Sequence, residues 1–154
     1  EYTILTDFIL SNTDRHYNNF GFLYHPQLHR LVKMAPVFDT GNSLFYNKEI
    51  IPQGSNLLDV TVNSFKKKEV SLLEYVSKSD LVGIGKLESF PKEVYNLLTY
   101  NTDMPDERAK SISGTVQQKL EYLKLFQQGK KIWKKENRFL IRQLRIITIK
   151  HAGW

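Results

Sequence analysis

Between Ser11 and Asn42 the chain sets two clusters of short polar residues, Ser11-Asn12-Thr13-Asp14 and Asp39-Thr40-Gly41-Asn42, on either side of two apolar stretches. Side chains of this kind compete with the backbone for hydrogen bonds, so both clusters interrupt regular structure. What lies between them is tightly constrained. Phe20-Gly21-Phe22-Leu23-Tyr24 reads as a strand, His25-Pro26-Gln27 as a turn, and Leu28 to Lys33 as a second strand. Residues 20–33 therefore form a hairpin flanked by two aspartate-bearing turns, and its aromatic residues are expected in the core.

The surroundings of the hairpin read as helical. Tyr2, Leu5, Phe8 and Ile9 recur at helical spacing, with Ile4 beside them. Their apolar face runs off the N-terminus without a capping residue, as in a helix that has been cut. The chain also opens on Glu1 rather than Met, as a fragment or processed piece does. From Phe45 to Leu58 the signals are irregular, and Pro52 and Gly54 point to a long ordered loop. Three helices are expected in a body spanning 60–129. One starts near Asn63 or Ser64 and turns Phe65, Val70, Leu72, Leu73 and Val76 inward. Another begins around Pro91 with Val94, Tyr95, Leu97 and Leu98 inward. The last begins near Asp103 and Pro105, with Ile112, Val116, Leu120 and Leu123 on one stripe and Gly129 at its end. The fold class is α+β and mostly α.

With 154 residues the chain is one domain with at most an appended tail, long enough to bury a genuine core. It has no cysteine, which excludes a disulfide scaffold, a cysteine zinc site and a thiol nucleophile. Charges interrupt every apolar run, so no membrane-spanning segment or signal peptide is expected, and the location is read as cytoplasmic. The net charge of +6 is unevenly placed. Residues 130–154 carry eight Lys and Arg against Glu136 alone, and of the 22 basic and 16 acidic residues this leaves 14 and 15 for positions 1–129. A phosphate-seeking surface can therefore lie only in the basic C-terminal segment.

The chemistry-bearing pattern is the order of the two aspartate clusters. Protein kinases place a catalytic Asp five residues before an Asn, then two short strands, then Asp-x-Gly. Here Asn19 follows Asp14 by five positions, the hairpin intervenes, and Asp39-Thr40-Gly41 follows Asn19 by twenty. Phosphoryl transfer asks for Mg²⁺ clamped on the phosphates by hard oxygen ligands and a carboxylate aimed at the attacking hydroxyl. Asp14, Asn19 and Asp39 supply that set.

On these residues the chain resembles a known family. Ser11-Asn-Thr-Asp-Arg-His-Tyr-Asn-Asn-Phe-Gly-Phe-Leu and Met34-Ala-Pro-Val-Phe-Asp-Thr-Gly-Asn-Ser-Leu look like the HipA-type serine/threonine kinases, bacterial toxin kinases of toxin–antitoxin pairs and their relatives. The resemblance is densest over residues 5–45. It implies a protein-kinase-like C-terminal lobe over 1–129, with catalytic loop 11–19, hairpin 20–33 and metal motif 36–43. By motif position Asp14 is the catalytic base, and Asn19 and Asp39 hold Mg²⁺ and, through it, ATP. His16 is either a histidine that hydrogen-bonds the loop or one near the transferred phosphate, as in lipid-kinase-like loops that also read Asp-Arg-His. Asn18 is read as a turn residue and Arg15 as half of a surface ion pair.

A kinase also needs a Gly-rich loop and a phosphate-reaching lysine well upstream of the catalytic loop, and thirteen residues precede Asp14. Gly83-Ile84-Gly85-Lys86 does not replace them, because a Walker loop would need glycine where Asp80 stands. The implied partners are thus an upstream N-terminal kinase lobe and a protein substrate, and the isolated chain is expected to transfer phosphate poorly. Three other readings stay open. A non-catalytic binding or remnant module would keep the same scaffold. A phosphoinositide-kinase-like lobe shares Asp-Arg-His-x-x-Asn, although its second motif reads His-Ile-Asp-Phe-Gly where this chain has Pro-Val-Phe-Asp-Thr-Gly. An aspartic protease matches Phe38-Asp39-Thr40-Gly41 but needs a second such carboxylate, and there is no second Asp-Thr-Gly. Residues 130–154 are read as an amphipathic helix turning Trp133, Phe139, Leu140 and Leu144 inward, an antitoxin or DNA contact, or, over 145–150, a strand or foreign sequence at a truncated end.

Overall fold

A computed structural model describes residues 1–134. The expectations for Phe139, Leu140, Leu144 and the strand over 145–150 lie outside the described residues. The order is helix α1 (Tyr2–Leu10), strands β1 (Phe22–His25) and β2 (Arg30–Met34), then helices α2 (Phe90–Thr99) and α3 (Asp106–Gln127). Short 3-10 turns at Tyr17–Asn19, Gly54–Asp59, Glu69–Tyr75, Ser79–Leu81 and Ile84–Leu87 fill the connections. The class is α+β, mostly helical, with a two-stranded antiparallel sheet.

The longest helix organises the rest. Asp106 and Glu107 occupy the first turn of α3 and Lys124 its last, the arrangement the helix dipole favours. Ala109, Ile112, Val116, Leu120 and Leu123 line one buried stripe, as the heptad-like spacing predicts. Gly129, at φ 81°, ends it: its N–H returns to the Phe126 carbonyl while that of Lys130 returns to Leu125. This is the paired closure for which a left-handed residue is needed, and glycine takes that conformation without a Cβ clash. The core that α3 shares with Leu5, Phe8, Leu57, Leu58, Val70, Leu73 and Val94 runs past Gly129 to the fully buried Ile132, and Trp133 packs on Phe126.

Helix α2 starts where Pro91 predicts, but its inward face is narrower than expected. Pro91 and Val94 are buried and Leu98 is partly so, whereas Leu97 is 72% exposed. One neighbour, α3, covers only the 91–94–98 line. On α1, Leu5, Phe8 and Ile9 are buried as expected, while Tyr2 is exposed.

Two expectations are overturned. The helix from Asn63 or Ser64 is replaced by a turn and the short 3-10 segment Glu69–Tyr75. Thr61 bridges to Lys68, the Val62 N–H reaches the Lys67 carbonyl, and the Glu69 N–H reaches Val60, so the backbone there pairs with itself across a loop. Val70, Leu72, Leu73 and Val76 still enter the core, but Phe65 leaves it to stack on Tyr17 and Phe20. The second correction concerns the hairpin, whose aromatic residues are not core. Phe22, Tyr24, Leu31, Val32 and Met34 are each more than half exposed, because no element covers either face of the two strands among the described residues.

Candidate active site

The polar cluster after α1 is built on a buried ion pair. Ser11 leaves the helix in the left-handed conformation (φ 54°) and its N–H closes on the Asp7 carbonyl. That places Asp7, buried on the helix face, opposite Arg15 in the following loop. Arg15 grips the carboxylate with two donors, Nε to Oδ2 at 2.8 Å and Nη2 to Oδ1 at 2.9 Å, and Asn12 Nδ2 adds a third at 3.0 Å. Two parallel charge-assisted bonds fix the guanidinium plane as well as its position. The reading of Arg15 as half of a surface pair is therefore corrected: it does pair with a carboxylate, but at 1% exposure.

The third guanidinium nitrogen does the assembling. Arg15 Nη1 donates to the carbonyl of Asn19 at 3.1 Å and to that of Phe38 at 2.6 Å. One cation thus ties Asn19, just before the hairpin, to Phe38, just ahead of the second polar cluster. Asn12 Nδ2 also lies 3.4 Å from the Asp39 carbonyl. Thr13 continues the stitching, donating its N–H to the Asn42 carbonyl at 3.1 Å and accepting from the Asn63 N–H at 2.8 Å. Ser64 Oγ donates to the Arg15 carbonyl.

The predicted residues fall on this frame as follows. Asp14 is half-buried, and both of its carboxylate oxygens accept from carboxamides: Oδ1 from Asn63 Nδ2 at 2.7 Å and Oδ2 from Asn42 Nδ2 at 3.0 Å. Asn19 is buried and donates its Nδ2 to the Asp14 carbonyl at 2.8 Å, which leaves its amide oxygen for another partner. Asn18, its neighbour, is exposed. Asp39 is exposed in the left-handed region at φ 55°, and its carboxylate has no hydrogen bond among the described residues. His16 is half-buried, in extended backbone, and its carbonyl accepts the Asn19 N–H at 3.0 Å. The backbones of Asp14, Asn19 and Asp39 thus share one hydrogen-bonded frame.

Mg²⁺ needs hard oxygens and takes one or two protein carboxylates when phosphates and water complete its shell. Among the described residues no group of three or more His, Cys, Asp or Glu could hold a metal ion by itself. The Asp39 carboxylate and the Asn19 amide oxygen are hard donors of the kind that fits an Mg–phosphate unit rather than a closed protein cage.

Beneath the frame lies a second buried pair. Lys119, midway along α3, donates Nζ to Glu69 Oε2, and both side chains are excluded from solvent. The ammonium also sits 4.7 Å from the Phe8 ring centre, on the helix that carries Asp7. Burial pushes the Glu69 carboxyl up to about 7 against the pull of Lys119, with the Asp7 charge adding to the rise. The same desolvation holds the Lys119 ammonium below its ordinary value.

Sequence reasoning missed Asp7, Asn42 and Asn63. A lone acid among Leu5, Phe8 and Ile9 on an otherwise apolar helix was the available signal for Asp7. Asn42 directly follows Asp39-Thr40-Gly41, whereas nothing local marks Asn63. Compared with family models, with curated proteins and with solved structures, the chain matches none.

Proposed function

We propose that this chain is the catalytic half of a HipA-like serine/threonine protein kinase, transferring the γ-phosphate of ATP to a protein hydroxyl. The observation that carries the reading is the Arg15 guanidinium, which binds the carbonyls of Asn19 and Phe38 together and so joins the two motif clusters across the hairpin. In this reading Asp14 accepts a hydrogen bond from the acceptor hydroxyl and takes its proton as the new O–P bond forms. Asn19 and Asp39 offer oxygens to Mg²⁺, and His16 lies beside the transferred phosphate. Bound Mg²⁺–ATP would supply the phosphoryl group and offset the charge on the phosphates.

The phosphate-covering loop and its lysine come from an upstream N-terminal lobe, which the 154 residues do not supply. Cytoplasmic location and membership of a toxin–antitoxin pair belong to the same reading; among the described residues no helix is long and apolar enough to cross a membrane. An antitoxin or DNA contact through residues 130–154 belongs to it as well. Co-expression with an upstream-encoded lobe, followed by a phosphorylation assay with ATP and Mg²⁺, tests it. Activity is expected in the complex and lost in Asp14→Asn and Asp39→Asn. An inactive complex, or transfer by the isolated chain that survives Asp14→Asn, would overturn it. The exposed apolar hairpin favours a second reading, a non-catalytic binding module on this scaffold, which an inactive but tightly associating complex would support.

A further inference from the structure

The loop from Val60 to Glu69 closes on itself and stands on a buried charge. Its base is joined by the Glu69 N–H on the Val60 carbonyl, the Thr61–Lys68 bridge and the Val62 N–H on the Lys67 carbonyl. Its tip rests on the polar cluster after α1. There the Asn63 N–H donates to the Thr13 carbonyl, Asn63 Nδ2 to Asp14 Oδ1 and Ser64 Oγ to the Arg15 carbonyl. At the base, Glu69 is buried and its Oε2 accepts from Lys119 on α3. Its other oxygen, Oε1, is shut off from solvent and has no hydrogen-bond partner among the described residues. The charged groups that bear on it are Lys119 from α3 and Asp7 from α1, the latter already held by Arg15. Gly54–Asp59, also packed against Glu69–Tyr75, brings Asp59, which pairs with Lys68 at the surface.

A buried carboxylate is tolerated when donors satisfy its oxygens, and this one has a single donor and a like charge nearby. As a neutral acid the same group keeps its bond to Lys119 and has no charge to hydrate. Burial accordingly lifts the carboxyl to about 7, against the pull of Lys119 and with Asp7 adding to the rise. Lifting the base of the loop from α3 would bring water to Oε1 and slacken the tip. Lys119 would keep the Phe8 and Phe45 rings, whose centres lie 4.7 and 5.9 Å from its ammonium. We propose that Glu69 is a proton-operated latch: protonated, it seats the base of residues 60–69 on α3, and ionised, it draws that base toward water and loosens the tip that holds Asp14. The step from tip to phosphotransfer rests on the reading of Asp14 as the catalytic base. The latch itself is a local opening of the fold and needs neither ATP nor an upstream lobe.

Amide hydrogen exchange of the full 154-residue chain, followed by NMR from pH 5 to pH 7 and corrected for the intrinsic pH dependence of exchange, reads the latch. Protection of the Val62, Asn63 and Glu69 amides is expected to fall roughly 100-fold across this range, because opening releases one proton. Low concentrations of urea should leave that exchange unchanged, while amides of Val116 and Leu120 in the core of α3 exchange faster, since only global unfolding frees them. Glu69→Gln is expected to keep the pH 5 level of protection at pH 7. In the wild-type protein, where no variant has to fold, the Glu69 carboxyl carbon should titrate at the pH where the loss of protection levels off. Loop amides whose protection ignores pH, or follows urea as α3 does, would overturn the proposal. So would a Glu69 carboxyl that titrates at its ordinary value of 4.5. An active lobe complex beside pH-independent exchange would remove the latch and keep the kinase reading, whereas an inactive complex bears on that reading alone.

Discussion

The loop cluster and the hairpin invert the usual distribution of side chains in opposite ways. Around α1 and α3 the protein buries four charges, Asp7, Arg15, Glu69 and Lys119. A few residues along the chain it exposes Phe22, Tyr24, Leu31, Val32 and Met34 on two strands. Buried ions are rare unless paired and gain little net stability from their pairing, because desolvation offsets the attraction. Their effect here is geometric: Asp7 holds two nitrogens of Arg15 while the third reaches the carbonyls of Asn19 and Phe38. The hairpin is nearly the converse, since it does little for the core and keeps apolar side chains exposed among the described residues. One region fixes where backbone segments meet, and the other leaves apolar side chains uncovered among the described residues.

That contrast can be broken by experiment. The largest effect is expected from Arg15→Ala, which leaves the buried Asp7 carboxylate without its partner. A loss of about 3–5 kcal/mol in urea unfolding is expected, and a change below about 1 kcal/mol would mean that the pair does not hold the frame. Glu69 makes the second test pH-dependent. Its folded-state value of about 7 lies above its ordinary 4.5, so the folded protein keeps a proton that the unfolded chain has lost between those values. The stability it contributes is full below pH 4.5 and is lost as the pH rises through 7. That decline is on the order of 3 kcal/mol, and Glu69→Gln should flatten it in unfolding curves taken across this range.

Smaller effects sharpen the comparison. Asp14→Asn turns one acceptor oxygen into a donor facing the amide of Asn42 or Asn63, and is expected to lower stability by about 1 kcal/mol. Asp39→Asn, at an exposed side chain, should change it by less than about 0.5 kcal/mol while abolishing phosphotransfer in the lobe complex. Replacing Phe22, Val32 and Met34 together by Ser or Thr should leave unfolding of the isolated chain within about 0.5 kcal/mol and weaken association with an upstream lobe in a pull-down titration. A large stability loss from this triple substitution would show that the hairpin is part of the core after all.

Much of the scaffold was legible because it depends on local patterns. Pro91 and Gly129 mark a helix start and a helix end through backbone chemistry that needs no tertiary partner. The apolar period of α3 is long enough to identify its buried face, and the two polar clusters predict the hairpin between them. Phe65 was misread because an aromatic residue at helical spacing looks like core, and only the position of Tyr17 and Phe20 draws it away. The hairpin aromatics were misread for a related reason: their pattern identifies strands but does not say whether anything covers them. Arg15 looked like a surface residue because its partner, Asp7, is eight positions away on a helix that otherwise reads as apolar.

By itself the amino-acid order determined which residues can carry oxygen chemistry, the hairpin between them and where the long helix stops, since these follow from spacing, turn propensity and backbone conformation. Only the tertiary structure decided that Arg15 is buried across three segments, that Asn42 and Asn63 converge on Asp14, and that Glu69 meets Lys119. Those contacts join residues 23 to 50 positions apart. Their energies depend on solvent exclusion, which no local stretch of chain possesses before the helices pack.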